Sequence, residues 1–509
     1  MAKTSKSGKS SRKAVTGGLA AVIVVIVLIV IGFFVYISGI LPKTLTGVGI
    51  TETLSDGSVR TVKNFSILET NFHFQEVFSN YSNYGMVSQD NLDEVYSEET
   101  GETYRDWILR ETASEMRTLA LIERAAKGSD FMQYSKARKY ASSDLDTIDM
   151  YASLYGASSG QQYIEANYGK GMTKRTYVDF IAREVLAQEY GYYLKQFDPA
   201  IVPTEEQIQA KFDENPAIYY VLDCSSYFIN AKKDDAGSVI GLTDATAAAN
   251  KIASAAKDTA SFRKAVMDYL TEINDTDALA TFDDDQDPTF RAGFTYTQAT
   301  YLEADLKDYL FAADSKVGEA KVIPVEDGVY VAFIADKRLN EIKTVSYRTL
   351  TLNVDVKSDA PEEEIAQAAQ NLANEAATYC TEGLDPLTFY SIVKEHTSDK
   401  TEMLDGGYKS GATVDQFVST DDNPLDSAQM SAGQWLFDGS RKAGDIKIVI
   451  SDDQKTVYVY YFESARPTWQ NTVRNDLITA NFNTWNTDLE TSTNPQYVVN
   501  AGLIEAFTY

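Results

Sequence analysis

YLFAADSKVGEAKVI (residues 309–323) and WLFDGSRKAGDIKIV (residues 435–449) align without a gap at an offset of 126 residues. They share Leu310 with Leu436, Phe311 with Phe437, Lys316 with Lys442, Gly318 with Gly444 and Lys321 with Lys447. The match extends outward on both sides. After a two-residue insertion GVYVAFI (328–334) meets TVYVYYF (456–462), and upstream SFRKAVMDY (261–269) pairs with TFYSIVKEH (388–396). Self-similarity over this length marks two copies of one supersecondary unit. Runs rich in β-branched and aromatic residues flank segments of helical period, so each copy reads strand, helix, helix, short helix, strand, strand. The fold class is therefore α+β, with tandem modules at 206–340 and 341–466.

The flanks of the repeat read as helix. In TYRDWILRETASEMRTLALIERAAKG (103–128), Trp107, Ile108, Ala113, Met116, Leu119, Ala120 and Ala125 recur near helical spacing, and Gly128 ends the run. YVDFIAREVLAQEYGYYLKQF (177–197) continues the pattern through Phe180, Ile181, Val185, Leu186, Tyr190 and Tyr193, with Pro199 and Pro203 as stop signals. Thr204 and Gln207 have the spacing of a capping box for a short helix, TEEQIQAKFDEN (204–215), after which YYVLDCSSYFI (219–229) begins a strand. A helical domain is thus expected over 42–205. At the far end RPTWQNTVRNDLITANFNTWNTDLE (466–490) places Trp469, Val473, Leu477, Ala480 and Trp485 on one helix face. A lone amphipathic helix must bury that stripe against a partner. Segment 467–509 is therefore expected to pack on the helical domain, bringing the two ends of the chain together across the modules.

The N-terminus bears on location. Residues 14–41 carry no charge, and LAAVIVVIVLIVIGFFVYI (19–37) is long enough to cross a bilayer as a helix. The preceding tail, 1–13, holds Lys3, Lys6, Lys9, Arg12 and Lys13 and no acid, which assigns it to the cytoplasm and the bulk of the chain to the outside. The apolar run exceeds that of a signal peptide and lacks a small-x-small cleavage site, so it reads as an uncleaved single-pass anchor.

Composition narrows the chemistry. Over 509 residues, 46 Lys and Arg stand against 74 Asp and Glu, a formal charge of −28 that becomes −33 once the five basic residues of the tail are set aside. Such a chain repels phosphate backbones, and nucleic-acid binding is not expected. Cys224 and Cys380 are too few for a disulfide framework or a thiolate cluster and read as two buried thiols. The only histidines, His73 and His396, read as polar surface or cap residues, and no G-x-S-x-G elbow is present. The acidic run DDDQDP (283–288) lacks the central Gly and terminal Glu of an EF-hand loop and reads as a solvated loop. No metal and no cofactor is expected.

The second module sets SYRTLTL (346–352), a helix ending FYSIVKEHTSDK (389–400), DGGYKSG (405–411), WLFDGSRKAGDIKIV and TVYVYYFE (456–463) in order. This order resembles the parvulin family of peptidyl-prolyl isomerases, in which a strand bearing Arg-His-Ile-Leu precedes a helix, a Gly-Gly loop and a strand bearing Tyr-His-Ile. NYGKGMTKRTYVDFIAREVLAQEY (167–190) followed by PTEEQIQAKFDEN (203–215) resembles the N-terminal part of the SurA/PrsA-like extracytoplasmic foldases. The resemblance covers roughly residues 60–490. It implies a client-binding chaperone domain, built from N-terminal helices and a returning C-terminal helix, with parvulin-like modules attached.

In that family the isomerase site has one His on each of two central strands, beside a Cys or Asp and an apolar proline pocket, and weakens the partial double bond of the X–Pro amide. This chain departs from the pattern. Arg348 matches the family's Arg, so Thr349 takes the first His position and Tyr458 the second; Tyr227 and Tyr330 correspond in the first module. No catalytic residue is assigned. The four positions read either as peptide contacts, through the ring and hydroxyl of Tyr, or as completed core. The resemblance implies a membrane-anchored chaperone for unfolded or newly secreted protein clients. Two alternatives stand beside it: a working isomerase in which Tyr and Thr replace His, and a cell-surface adaptor on the same scaffold.

Overall fold

The computed structural model describes residues 38–282, 286–492 and 494–507. The basic tail and the apolar segment 19–37 lie outside the described residues, as does the acidic run 283–285. Among the described residues no helix is long and apolar enough to cross a membrane.

Each half of the repeat forms a four-stranded antiparallel sheet with the same strand order. In the first, Tyr220–Asn230 and Gly328–Leu339 are central, and Phe290–Thr295 and Ala320–Val325 are the edges. In the second, Lys343–Asn353 and Thr456–Pro467 are central, between Tyr408–Ala412 and Ile446–Ile450. Helices Leu242–Ala255 and Thr259–Glu272 cover one face of the first sheet, where Val331 and Phe333 meet Ile252, Phe262 and Val266. Glu362–Tyr379 and Pro386–His396 do the same for the second, where Leu350 and Val459 meet Ala376, Phe389 and Val393. One short helix closes each opposite face, Ala304–Leu310 and Ser427–Leu436 respectively.

The sequence reading missed one strand in each unit, Phe290–Thr295 and Tyr408–Ala412. The second of these hides behind the Gly-Gly loop. Gly406 and Gly407 adopt φ of 69° and 71°, which turns the chain so that Tyr408 pairs with Arg348. A Cβ at Gly407 would stand 2.0 Å from the Thr349 carbonyl oxygen, so only glycine fits the turn.

The N-terminal domain also departs from the all-helical expectation. After a short helix, Ile40–Thr44, comes an antiparallel hairpin, Thr46–Thr53 and Val59–Ser66, and the C-terminal strand Gln496–Val499 pairs on the free edge of its first strand. The hairpin turn carries Asp56-Gly57 between alternating runs, a turn signal present in the sequence. Helices Ile67–Asn83, Tyr104–Lys127 and Lys174–Phe197 follow, the second ending at Gly128 as its sequence indicated.

The long helix Thr468–Thr491 packs on two neighbours, with two different faces. Its first half buries Trp469 and Val473 against Ile208, Phe212 and Tyr219, with the Trp469 and Phe212 rings 4.3 Å apart. Its second half sends Ile478, Phe482 and Trp485 into a cluster with Phe131, Val185, Tyr190 and Leu194. Ala480, expected on the stripe, is exposed. The helix changes neighbours midway, so its buried face rotates by one position.

Charged anchors seat the second module on the helical domain. Lys394 and Glu189 are both 0% exposed and 2.6 Å apart, and Lys394 also donates to the Met403 carbonyl. The Glu189 carboxylate accepts from Ser135 Oγ at 2.6 Å and from the Lys136 N–H at 3.1 Å. Buried Arg348 pairs with Glu463, donates to Gln196 Oε1 at 2.7 Å and to the Gly406 carbonyl at 3.2 Å, and lies over the Phe197 ring. The first module joins the rest at its root, where Ile218, Tyr219 and Leu339 meet Trp469 and Val473.

Candidate functional site

The strand pairing of the second module places Thr349 opposite Tyr460 and Tyr458 opposite Thr351. Cross-strand partners point to one face, so Thr349 and Tyr458 are diagonal neighbours there. The face is filled with rings. Tyr347 lies 6.0 Å from Tyr460 and 5.9 Å from Phe417, over Val345, Ala432, Leu436 and Phe462. Thr349 is 9% exposed, and its N–H donates to the Gly407 carbonyl. The neighbouring Thr351 commits both its hydroxyl and its N–H to the Glu402 carboxylate, each at 2.7 Å.

Burial pushes the Tyr347 hydroxyl up to about 12 and raises Tyr460 and Tyr458 as well. These phenols stay protonated at neutral pH. The face can pack against an apolar ring or donate a hydrogen bond, but its hydroxyls supply neither a base nor a nucleophile. His396 is the last residue of its helix on the other side of the sheet, exposed and stacked on Tyr379 at 4.3 Å.

In the first module the expected pair is not brought together. Tyr330 faces Phe228, their rings 4.6 Å apart, whereas Tyr227 pairs with Val331 and points to the opposite, helix-covered face beside Tyr269. The register partner of Thr349 is Ser226, which sits opposite Ala332 as Thr349 sits opposite Tyr460. A one-residue slip in alignment moves a strand residue to the other face. Ser226 Oγ accepts from Arg291 at 2.9 Å. Cys224 and Cys380 are free and buried; burial pushes their thiols up to about 11 and about 12, which keeps them unreactive.

A second site, not found from the sequence, opens in the helical domain. Helices Ile67–Asn83, Tyr104–Lys127 and Lys174–Phe197 bound a cleft of about 400 Å³ whose lining includes His73, Ser114, Glu115, Leu119, Glu184 and Gln188. His73 is therefore not a surface or cap residue. It is 6% exposed, lies edge-on to Phe72 at 5.2 Å, and places Nδ1 3.0 Å from Glu184 Oε1. Burial raises the carboxyl of Glu115, with the charges of Glu184 and Glu111 adding to it and His73 opposing; Glu76 is raised by burial and by Glu184. Glu115 and Glu184 border apolar stripes that the sequence does show, but their approach to His73 depends on how three helices pack. Elsewhere on this domain the helix Leu145–Leu154 leaves Met150 and Leu154 exposed, followed by Tyr155.

No family model matches the sequence, and no curated protein matches it.

Proposed function

We propose that the protein is a membrane-anchored, extracytoplasmic chaperone of the SurA/PrsA-like foldase kind, in which the helical domain holds unfolded or newly secreted segments and two parvulin-like modules extend from it. The observation that carries this reading is the packing of the helix Thr468–Thr491 and the strand Gln496–Val499 on the N-terminal domain, which also has a cleft open to solvent. A concave, partly apolar surface holds extended segments weakly and without strict sequence preference. The exposed Met150, Leu154 and Tyr155 offer a second apolar patch on the same domain, and the acidic charge keeps a client-loaded chaperone soluble. The anchor is the segment 19–37, with the tail 1–13 in the cytoplasm.

The modules are proposed to keep the parvulin-like fold without its isomerase chemistry. Thr349 and Tyr458 stand where the resemblance puts histidines, and the surrounding hydroxyls stay protonated. Two assays test this. The full chain in detergent micelles should slow aggregation of a chemically denatured, unrelated protein at near-equimolar ratio, and it should leave the isomerisation rate of a proline tetrapeptide at background. Unaltered aggregation would sink the chaperone reading. A catalysed rate that is lost in Tyr458→Phe would replace it with the isomerase.

A further inference from the structure

We propose that the surface around the contact of Gly39 with Gly171 is a docking face for anionic phospholipid headgroups, those of the membrane that holds segment 19–37. The inference rests on the reading of that segment as an anchor, and it adds which side of the helical domain lies on the bilayer.

The junction leaves no slack between anchor and domain. Gly39 is buried, with φ of 66°, and a Cβ there would stand 2.4 Å from Gly171 Cα. A Cβ on Gly171 would stand 2.8 Å from the Gly39 carbonyl oxygen, so the two backbones touch where no other residue fits. Asn71 donates to the Tyr168 carbonyl at 2.8 Å and the Ile67 N–H to the Leu45 carbonyl at 2.9 Å, which ties both segments to the helix Ile67–Asn83. The apolar run ends at Ile37, and the two residues from there to Gly39 span at most about 7 Å. A headgroup layer is roughly 5–8 Å thick. With 19–37 in the hydrocarbon core, the surface around Gly39 therefore stands at headgroup level, and the exposed Ile40 lies at the exit.

The charge at this surface is opposite to that of the chain. Segments 38–45 and 166–178, which meet at the glycine contact, hold Lys43, Lys170, Lys174 and Arg175 and no acid, in a chain of −28. Each cation lies within four residues of Gly39 or Gly171, a reach of about 14 Å at most. The acids that reach these segments from outside are already committed: Asp149 pairs with Lys174 at 2.7 Å, Glu165 accepts from the Gly171 N–H at 3.3 Å, and Glu76 accepts from the Tyr168 hydroxyl at 2.9 Å. Lys43 and Arg175 are exposed and form no ion pair among the described residues. Anionic headgroups attract such cations over about a Debye length and repel the acidic remainder of the chain. The lipid charge thus turns this side of the domain toward the bilayer and the rest away.

Nitroxide quenching tests the face, with the full chain in vesicles of phosphatidylcholine and roughly 30% phosphatidylglycerol. Asn167→Cys, exposed beside the loop, takes a fluorophore while buried Cys224 and Cys380 stay unlabelled. The nitroxide is carried near the glycerol of one lipid or the other, at equal mole fraction. Phosphatidylglycerol should quench about twofold more than phosphatidylcholine, and Lys43→Gln combined with Arg175→Gln should equalise the two. Both side chains are exposed, and a melting curve verifies that the variant folds. Absence of quenching by either lipid, in chain that floats with the vesicles, overturns the docking face and leaves the anchor standing. Equal quenching in the unaltered chain does the same. A preference that survives the double substitution overturns the assignment to these cations. A chain that does not float with the vesicles overturns anchor and docking face together.

Discussion

The two modules share strand order, strand register and helix placement, yet they are attached to the molecule by different physics. The second module is seated by buried charges, Lys394 on Glu189 and Arg348 on Gln196. The first has neither. The strand partners of Arg348 and Ser225 are the equivalent Tyr461 and Phe333, and Ser225 is a fully buried hydroxyl without a partner. The repeat alignment sets Met267 where the second module has Lys394. The fold itself therefore does not require the charges. They belong to the seat on the helical domain, where a desolvated ion pair costs much of what its attraction returns but penalises any other docking geometry.

That contrast can be broken at the ion pair. Lys394→Met gives the second module the residue of the first and strands the Glu189 carboxylate; urea unfolding should show a loss of about 3–5 kcal/mol in the transition of the second module and helical domain. The first module's transition should not move, and adding Glu189→Leu should restore most of the loss. If the single variant costs under about 1 kcal/mol, the pair does not seat the module.

The root of the first module is the next test. Trp469→Ala removes the ring that packs on Phe212, at a cost of about 3 kcal/mol. Hydrogen exchange should rise at Tyr219 and Leu339 while the strands around Arg348 keep their protection. Equal loss in both modules would show that they are coupled, not separately attached.

The smallest effect is electrostatic. Burial, with Glu402 adding, raises the Asp405 carboxyl above its usual 3.8, against the pull of Lys409, the Gly407 N–H and Arg348. A carboxyl raised in the folded state stabilises fully below its unfolded value and loses that contribution as pH rises through the folded one. Asp405→Asn keeps the acceptor for Gly407 N–H and should flatten the decline in second-module stability between pH 4 and pH 7, by under about 1 kcal/mol. An unchanged slope in melting experiments would assign the decline to other carboxylates.

Local and repeated signals were the legible part of the sequence. The Thr204–Gln207 capping box forms as its spacing indicates, Gly128 ends its helix, and the gapless repeat gives two sheets of one order. Signals that need a partner were not legible. The strand Tyr408–Ala412 exists because two glycines turn it onto Arg348, and the face of Tyr227 follows from a register that the alignment missed by one residue. The cleft at His73 was the least accessible, because its groups come from three helices far apart in the chain. The fold-level pattern survives such distance; the positions of individual polar side chains do not.

The strand Gln496–Val499 carries a consequence for the order of assembly. Asn500 donates to the Thr46 carbonyl across 454 residues of sequence, and its neighbouring strand completes the sheet that Thr46–Thr53 begins. Each module closes its sheet from residues within its own unit, so it can fold as soon as that unit is synthesised. The helical domain cannot. Closing so long a loop adds little to the equilibrium cost, which grows only with the logarithm of length, but it delays the contact until segment 468–499 has emerged. In a chain synthesised from its N-terminus, the part made first is therefore the part finished last, with its sheet edge and the faces that receive Phe482 and Trp485 uncovered throughout synthesis.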